Sequence, residues 1–410
     1  MTRRDLIKSV VSVRDYGAHG QGKVLESPAI QKAIDAAGAG TVLIPAGRYL
    51  CGTIRLRSNL TLWLDNGATL VMSPRESDFA PPEQLAYNPH ADSATSLFRH
   101  SLLSGEDLHD VAIRGEGLID GNRGKSGGPK PIALKRCTNV SICGITIERA
   151  PNYNISLLGC DSVNIDGVSI RKGFSDGIDP DCCRHVRISN CFVESVDDAV
   201  VLKASLALGE RRATEHVTVT NCVLRTASLF LKCGTESSGD FRNIAFSNCT
   251  LIGGMGDRHG NPGLGLYTVD GGTLENVVIS NITMQNVGIP IALLRGARGR
   301  GQLSPEPGPL RDVRIANVIA TGARRTSVIA GLPDAPIENV TLSGITIALA
   351  NAMQGPTGAI PERPRAYPDP TMFGPLPASG LYARHTSNLT LHDIQIRPHP
   401  EDRRPTLHRD

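Results

Sequence analysis

Hydrophobic and polar residues alternate in short runs along most of this chain, and one nine-residue phrase recurs. Each copy contains an apolar–polar–apolar run, a corner such as Ser-Asn or Asp-Gly, and a second apolar–polar–apolar run. The copies occupy residues 139–147, 162–170, 185–193, 216–224, 243–251, 276–284, 312–320, 339–347 and 388–396, after a weaker copy at 110–118. Alternation with a period of two predicts strands, and the corner predicts a bend between them.

The spacing of the copies predicts how these strands are connected. Successive copies are 23, 23, 31, 27, 33, 36, 27 and 49 residues apart, and a 23-residue unit is too short for two strands with a helical crossover. An antiparallel sandwich needs hairpin turns such as Asn-Gly, of which the chain has few. We therefore predict an all-β fold, a single-stranded right-handed parallel β-helix in which each unit forms one rung and the longer steps carry loops.

Two residue types recur inside the phrase. Asparagine stands at the corner in Asn190, Asn221 and Asn248. Because rungs stack about 4.8 Å apart, we expect these side-chain amides to form a ladder. A cysteine follows each of the three asparagines, which is typical of a small buried hydrophobe. No paired C-x-x-C motifs occur among the ten cysteines, so structural zinc is not expected.

One helix is predicted before the strands begin. Residues 27–37 (SPAIQKAIDAA) are amphipathic, with Ser27 as the expected N-cap and Pro28 at the first helical position. We expect this short helix to cap the first rung, whose open sheet edge would otherwise invite pairing with another chain. A polar segment with four prolines, 73–95, is predicted to be a surface loop.

The charge balance and the first residues of the chain indicate which binding partners and which cellular compartment to expect. With 43 basic and 40 acidic residues the net charge is +3, and no apolar run approaches a membrane span. We therefore predict no nucleic-acid or membrane partner, and the oligomeric state is left open. The start TRRDLIKS resembles the charged region of a twin-arginine export signal, although no apolar region follows it. We expect a periplasmic or secreted protein with an export-signal-like start (1–12), one β-helix domain (13–400) and a tail (401–410).

The candidate chemistry lies in residues 173–203, which carry five aspartates in two clusters. They are Asp176, Asp179, Asp181, Asp197 and Asp198. Asp176 and Asp197 are 21 residues apart, close to one rung, so we expect the clusters at the same angular position on adjacent turns. Crowded carboxylates raise at least one pKa, and one protonated and one ionised carboxyl suit acid-catalysed glycoside cleavage. Asx turns that cap loops, or a calcium site, would also explain such clusters.

The paired motifs SDGIDPDCC and VDDAVVLK resemble those of glycoside hydrolase family 28, the polygalacturonase and rhamnogalacturonase family. The resemblance runs from about residue 13 to 397, although Phe174 and Ser175 replace the family's Asn-Thr before the first aspartate. It implies a pectin-lyase-like β-helix and inverting hydrolysis of an α-linked poly- or oligosaccharide of pectic type, with no cofactor or metal. By position, Asp197 would be the general acid and Asp176 and Asp198 would orient and activate water.

The same resemblance implies that Asp179 and Lys203 line the site. Two further family elements are absent, however: Gly-His-Gly near residues 228–230 and Arg-Ile-Lys near 265–267. In their place the candidate substrate-binding residues are Lys232, Glu236, Arg242 and Tyr267, with Asp270 beside them. A solvated rung edge would explain all of them equally well except Glu236, whose loop GTESSGD is expected to face the same groove. His259 is a candidate replacement for the lost histidine.

The missing Arg-Ile-Lys also bears on the substrate. That element grips a sugar carboxylate in the family, whereas Tyr267 offers a ring face and one hydroxyl, which suit a neutral sugar. We therefore expect something other than unmodified galacturonate in the cleavage subsite, although Lys203, Lys232 or Arg242 could still reach a uronate.

Two other functions remain open from the sequence. A polysaccharide lyase on the same fold would hold calcium with the aspartates and use Arg184 or Lys203 as its base. A solenoid that only binds carbohydrate would use its long concave surface without chemistry.

Overall fold

The computed structural model describes residues 10–410, which form two compact units. The first unit contains residues 10–87 and 92–194, and the second contains 88–91 and 195–410. The export-signal-like residues 2–9 lie outside the described part of the chain. The single domain predicted over 13–400 stays a prediction.

Parallel strands build the first unit. They are β1 (Val10–Ser12), β2 (Gln21–Leu25), β3 (Gly40–Ile44), β4 (Gly47–Cys51), β5 (Ile54–Arg55), β6 (Leu60–Leu64), β7 (Ala68–Met72), β8 (Ser101–Glu106), β9 (His109–Gly115), β10 (Leu118–Asp120), β11 (Lys130–Lys135), β12 (Thr138–Cys143), β13 (Thr146–Glu148), β14 (Ile155–Leu158), β15 (Asp161–Asp166), β16 (Ser169–Gly173), β17 (Ile178–Asp181), β18 (Arg184–Ser189) and β19 (Phe192–Ser195), whose last residue begins the second unit. Strands β5, β8, β11, β14 and β17 form one sheet, and the remaining strands form another.

Parallel strands also build the second unit. They are β20 (Val200–Ala204), β21 (Thr214–Thr220), β22 (Val223–Thr226), β23 (Leu231–Ser237), β24 (Phe241–Ile252), β25 (Pro262–Thr268), β26 (Leu274–Gln285), β27 (Ile289–Arg295), β28 (Arg311–Ala323), β29 (Ser327–Ala330), β30 (Ile337–Leu349), β31 (Leu381–Arg384), β32 (Thr386–Arg397) and β33 (Leu407–Arg409). Strands β20, β23, β25, β27, β29, β31 and β33 pair in that order. Strand β33 lies within the predicted tail 401–410, so the strand pairing continues past residue 400.

The strand register reproduces the spacing of the repeated phrase. In the first unit Val140 pairs with Val163, and Val163 pairs with Val186. In the second unit the equivalent positions pair across the longer steps: Val217, Ile244, Val277, Val313, Val340 and Leu389. These apolar positions are all buried, because alternate side chains of each strand point into the core. The predicted parallel β-helix is confirmed.

The corners of the phrase adopt left-handed backbone conformations, which asparagine tolerates better than most residues. Asn248, Asn281 and Asn317 have φ of 53°, 56° and 54°. Their side chains form a ladder, in which Asn281 donates to Asn248 at 3.0 Å and Asn317 donates to Asn281 at 3.1 Å. At the predicted ladder position Asn190, the amide instead donates to Asp166 at 2.7 Å.

The predicted helix is α1 (Ser27–Ala37), whose buried face includes Ile30 and Ile34. Its N-cap is Glu26 rather than Ser27, so that prediction was wrong by one residue. The Ser27 hydroxyl accepts a hydrogen bond from the Gly52 backbone N–H at 3.2 Å and is therefore used outside the helix.

The other helical pieces are short. They are α2 (Ser93–Ser96) and the 3₁₀ turns Val13–Tyr16, Glu76–Asp78, Arg258–Gly260 and Pro370–Phe373. The predicted surface loop 73–95 is otherwise without regular structure. No helix within residues 10–410 combines the length and apolar character that a membrane span requires. All ten cysteines lie in the described part, and none forms a disulfide there.

Candidate active site

Asp197 and Asp198 stand next to each other in the turn that leads into β20. The Asp197 side chain is 25% exposed, and its Oδ2 lies 2.9 Å from Nη2 of Arg258. Its Oδ1 accepts a hydrogen bond from the Asp198 backbone N–H at 3.1 Å. Asp197 is thus an accessible carboxylate in a defined orientation, and its cationic neighbour Arg258 is itself 48% exposed.

Asp198 is buried and held by three donors. Nζ of Lys232 lies 2.7 Å from Oδ2, while the Ser228 hydroxyl and the Leu229 backbone N–H donate to Oδ1 at 2.8 and 3.2 Å. Burial alone would raise the pKa of Asp198, but Lys232, Ser228 and Lys203 hold it below its ordinary value. Burial acts in the opposite sense on Lys232, whose pKa is nevertheless raised because Asp198 lies beside it. The pair is therefore ionised.

Glu236 forms the second buried anion of this cluster. Its side chain is 8% exposed, and its Oε1 lies 3.0 Å from Nη1 of Arg300. Burial would raise the pKa of Glu236, but Lys203, Lys232, Arg298 and Arg300 together lower it. Asp198 and Glu236 thus both have a lowered carboxyl pKa, because lysines and arginines are interleaved with these two carboxylates.

Arg298 anchors the segment that brings Arg300 to Glu236. Its Nε and Nη2 lie 2.9 and 2.6 Å from the two oxygens of Asp270, and Nη2 also donates to the Thr235 carbonyl at 2.9 Å. Asp270 accepts a further bond from the Arg300 backbone N–H at 3.0 Å. Burial would lower the pKa of Arg298, but Asp270 raises it. This buried fork fixes the loop after β27 beside the site.

The predicted sugar-stacking residue Tyr267 does not offer an open ring. It is 1% exposed and belongs to a buried cluster with Leu229, Phe373 and Leu376. Burial raises its pKa far above the usual range, and no described residue gives its hydroxyl a hydrogen bond. The premise of the neutral-sugar hypothesis, an exposed Tyr267 face, is therefore wrong, because residues 373 and 376 pack onto it.

Arg242 and His259 have other partners. Arg242 lies on β24, outside the sheet that carries β20 and β23, with Nε 3.2 Å from Glu215 and Nη1 3.7 Å from Asp240. Nδ1 of His259 lies 3.1 Å from Asp369, and its ring centroid is 5.1 Å from that of Tyr367. At the position of the missing Gly-His-Gly element, the Ser228 hydroxyl donates to Asp198 at 2.8 Å.

The first unit carries the other predicted residues, Asp176 and Asp179, both buried. The backbone carbonyl of Asp176 accepts bonds from the backbone N–H and the side-chain amide of Asn154, at 3.0 and 2.8 Å. Asp179 lies on β17 in register with Ser156 of β14. The Ser156 hydroxyl accepts a bond from Nζ of Lys130 at 3.0 Å, a residue that the sequence motifs did not single out.

Within the second unit, the cluster that the structure assembles around Asp198 thus contains Lys203, Lys232 and Glu236, whose predicted role in substrate binding stays a prediction. It also contains three arginines that sequence reasoning missed, namely Arg258, Arg298 and Arg300. All three lie in segments between copies of the phrase, where period-two alternation gives no register. The run RGARGRG at 295–301 was the available signal, since three arginines among glycines are unusual for a buried loop.

Comparison with known proteins decides the family. The model of "Glycosyl hydrolases family 28" matches residues 41–359, most of the chain. The chain belongs to glycosyl hydrolase family 28. A second model, "Rhamnogalacturonase A/epimerase, pectate lyase-like", matches residues 10–71 of this family-28 protein. Among curated relatives, a probable polygalacturonase of Vitis vinifera is 25% identical over 370 residues, covering 83% of this chain and 74% of that protein. A polygalacturonase of Ralstonia nicotianae is 24% identical, covering 64% and 60% of the two chains.

Solved structures of two exopolygalacturonases share the fold. An exopolygalacturonase from Thermotoga maritima superimposes with a TM-score of 0.74 at 20% identity, over 95% of this chain and 92% of that chain. An exopolygalacturonase from Yersinia enterocolitica gives 0.70 at 18% identity, over 97% and 79%. As a family-28 member the protein is a glycoside hydrolase, and hydrolysis of a pectic polysaccharide is supported over the lyase and the purely binding alternatives.

Proposed function

We propose that this family-28 protein hydrolyses an α-linked, galacturonate-containing pectic polysaccharide with inversion. One observation carries the proposal: two adjacent carboxylates have opposite environments. Asp198 is buried and kept ionised by Lys232, whereas Asp197 is partly exposed beside an exposed arginine. Inverting hydrolysis requires such a division, because one carboxyl group donates a proton while a carboxylate activates water.

The roles follow from these environments and from the family positions. The Lys232 ammonium keeps Asp198 ionised, so Asp198 suits the water-activating role. The family positions alone suggest the same role for Asp176. Asp197 is the general acid. Because Arg258 lies 2.9 Å from the Asp197 carboxylate, it has to move aside as the glycosidic oxygen arrives, and its exposed side chain leaves room for that movement.

The charges favour a uronate in place of the neutral sugar expected from the sequence. Lys203, Lys232, Arg298 and Arg300 all act on Glu236, and lysine and arginine are the usual partners of a sugar carboxylate. Both the Vitis and the Ralstonia relatives are named as polygalacturonases. Arg300 is the candidate carboxylate ligand, because 29% of its side chain is exposed, compared with 11% for Arg298.

The test compares substrates and variants. Reducing-end release should be faster on polygalacturonic acid than on neutral pectic side chains, and NMR of the first product should show the inverted anomer. Asp197→Asn, Asp198→Asn and Asp176→Asn should each lower kcat by about 10²–10⁴-fold, while the partly exposed Asp312→Asn should not. Near-native turnover in all three variants would place the site elsewhere, and preferential cleavage of neutral chains would refute the uronate assignment.

Export is a separate proposal that rests on the start TRRDLIKS alone. Replacing both arginines of that start by lysine should retain the protein in the cytoplasm of a host with a twin-arginine pathway. Fractionation with unchanged distribution would contradict export by this route.

A further inference from the structure

The longest step between two rungs, residues 350–380, is an excursion that lies over the sheet of the catalytic cluster. It leaves after β30 and ends where β31 begins. Strands β20, β23, β25, β27, β29 and β31 are neighbours in that sheet. Their register places Lys232 of β23 in one row with Gly265, Ala292, Val328 and Tyr382. Because the positions of such a row point to the same side of a sheet, these residues share the face that carries the Lys232 side chain.

Beyond β23 this face is apolar and covered by the excursion. Phe373 and Leu376 of the excursion belong to a buried cluster, whose other members include Leu229, Tyr267, Ala292, Leu294, Val328 and Tyr382. The cluster begins at the catalytic pair, since the Leu229 N–H donates to Asp198. The gap that residues 362–373 leave over β27 and β29 has a volume of only about 10 Å³, room for at most about one water molecule. Because strands lie about 4.8 Å apart, a sugar chain that crosses the strands meets this cover within one strand of Lys232.

Tyr367 brings the excursion to the edge of the catalytic cluster. It is 42% exposed, and its ring centroid lies 5.1 Å from that of His259 and 6.0 Å from the guanidinium carbon of Arg298. Burial lowers the pKa of Lys232, while Asp198 and Tyr367 raise it, so the tyrosine lies near the cation of the buried pair. The excursion therefore presents an exposed aromatic ring to the site, at the point where the open face ends.

A second contact ties the excursion to the general acid. Oδ2 of Asp369 lies 3.1 Å from Nδ1 of His259, and the preceding residue, Arg258, lies 2.9 Å from Asp197. Burial would raise the pKa of Asp369, but His259 and Thr371 lower it. The excursion is thus anchored in two places, by apolar packing over the strands and by a polar contact beside the acid.

We propose that the excursion closes the substrate groove on this side, so that the enzyme cleaves only bonds next to one end of the pectic chain. The inference rests on the proposed function. A bond can reach Asp197 and Asp198 only if the sugars on its β25 side fit between the catalytic pair and the excursion. That space admits a mono- or disaccharide unit, because the cover begins one strand beyond Lys232. An internal bond of a long chain therefore cannot reach the carboxylates, and the enzyme is exo-acting.

The products formed from a long substrate test the closed end. Polygalacturonic acid is incubated with the native protein, and viscosity, reducing ends and chromatographically separated products are followed together. We expect mono- and disaccharides from the first time point, and a loss of viscosity per reducing end that is several-fold smaller than with an endo-acting polygalacturonase. Early release of trisaccharides and longer products, or a loss of viscosity per reducing end as large as that of the endo-acting enzyme, overturns the proposal.

A variant without the cover tests its cause. Replacing residues 354–376 by a Gly-Ser linker should add trisaccharides and longer oligomers to the products, and unchanged products from a folded variant overturn the proposal. Phe246→Leu is the control for loosened packing, because Phe246 is a buried phenylalanine of β24, in the other sheet, and its products should match those of the native protein.

Binding stoichiometry separates the closed end from the chemistry, and it decides the question if the linker variant fails to fold. Titration calorimetry of Asp197→Asn with polygalacturonic acid of defined length should saturate at one protein per chain, because only one end of each chain fits. Several proteins per chain overturn the proposal. One protein per chain without hydrolysis by the native protein would refute the proposed function and leave the closed end standing, whereas hydrolysis to long products would do the reverse.

Discussion

Lys232→Met is the sharpest test of the ionised pair at the centre of the site. Methionine keeps the length of the side chain but leaves Asp198 without its ammonium. Removing one partner of a buried ion pair costs about 3–5 kcal/mol of unfolding free energy. Because Ser228, the Leu229 N–H and the charge of Lys203 remain, we expect a loss of about 3 kcal/mol, at the lower end of that range.

The pH dependence of this loss has a definite sign. In the native protein the lowered pKa of Asp198 stabilises the fold above the ordinary aspartate value of about 3.9, and this contribution disappears as pH falls through the lowered pKa. In Lys232→Met, burial without the lysine favours the protonated acid. The deficit should therefore be largest near pH 7 and should shrink by about pH 5, as protonation removes the buried charge.

Urea unfolding at both pH values measures the effect. Lys172→Met serves as the control, because Lys172 has a similar 2.9 Å contact with Glu148 but is 65% exposed, and such pairs contribute less than about 1 kcal/mol. Asp198→Asn combined with Lys232→Met should recover part of the loss, since neither charge of this pair then remains buried without its partner. A deficit no larger than the control, or one independent of pH, would refute the assignment of an ionised pair.

Three further predictions concern other parts of the chain. Arg258→Met should lower kcat/KM, since it removes the cation that lies 2.9 Å from Asp197 and orients that carboxylate, whereas Arg258→Lys should largely preserve kcat/KM. An unchanged kcat/KM in Arg258→Met would mean that Arg258 does not position the acid. Asn281→Ala should lower the free energy of unfolding in urea by about 1–2 kcal/mol. Asn281→Gly should lower it by less, because glycine adopts the φ of 56° without strain. Equal losses would mean that the backbone angle does not contribute to stability. Deleting residues 1–40, which removes α1, should cause aggregation visible by light scattering, and a soluble folded truncation would count against the capping role.

The rungs could be predicted from sequence because their determinants are local. Alternating apolar residues select the buried face of each strand, and an asparagine or glycine at the corner accepts the left-handed angle that the bend requires. The phrase therefore gives the register of Val163 with Val186 without any knowledge of tertiary structure. The N-cap of the helix was placed one residue too late because Glu26 makes no side-chain capping bond that the sequence could indicate. Its carboxylate instead accepts bonds from the backbone N–H groups of His19 and Gly20.

The site was predictable only where it lies on the rungs. Lys232 could be named because β23 has a rung position, and its contact with Asp198 spans 34 residues. Arg300 could not be placed, since it lies in a loop whose path depends on a buried fork between Arg298 and Asp270. Tyr267 was misjudged for a related reason: the residues that cover it, near 373, are over 100 positions away and carry no alternation signal.

The uneven steps between rungs bear on how such an enzyme can diversify. Val313 pairs with Val340 after 27 residues, and Val340 pairs with Leu389 after 49, in the same parallel register. The extra 22 residues form an excursion that supplies Asp369 to His259. Closing the longer loop costs only about 0.5 kcal/mol more by polymer scaling. Insertions at rung edges are therefore nearly neutral for the scaffold, so evolution or laboratory grafting can exchange the substrate-facing loops of this solenoid while the rungs beneath them keep their alignment.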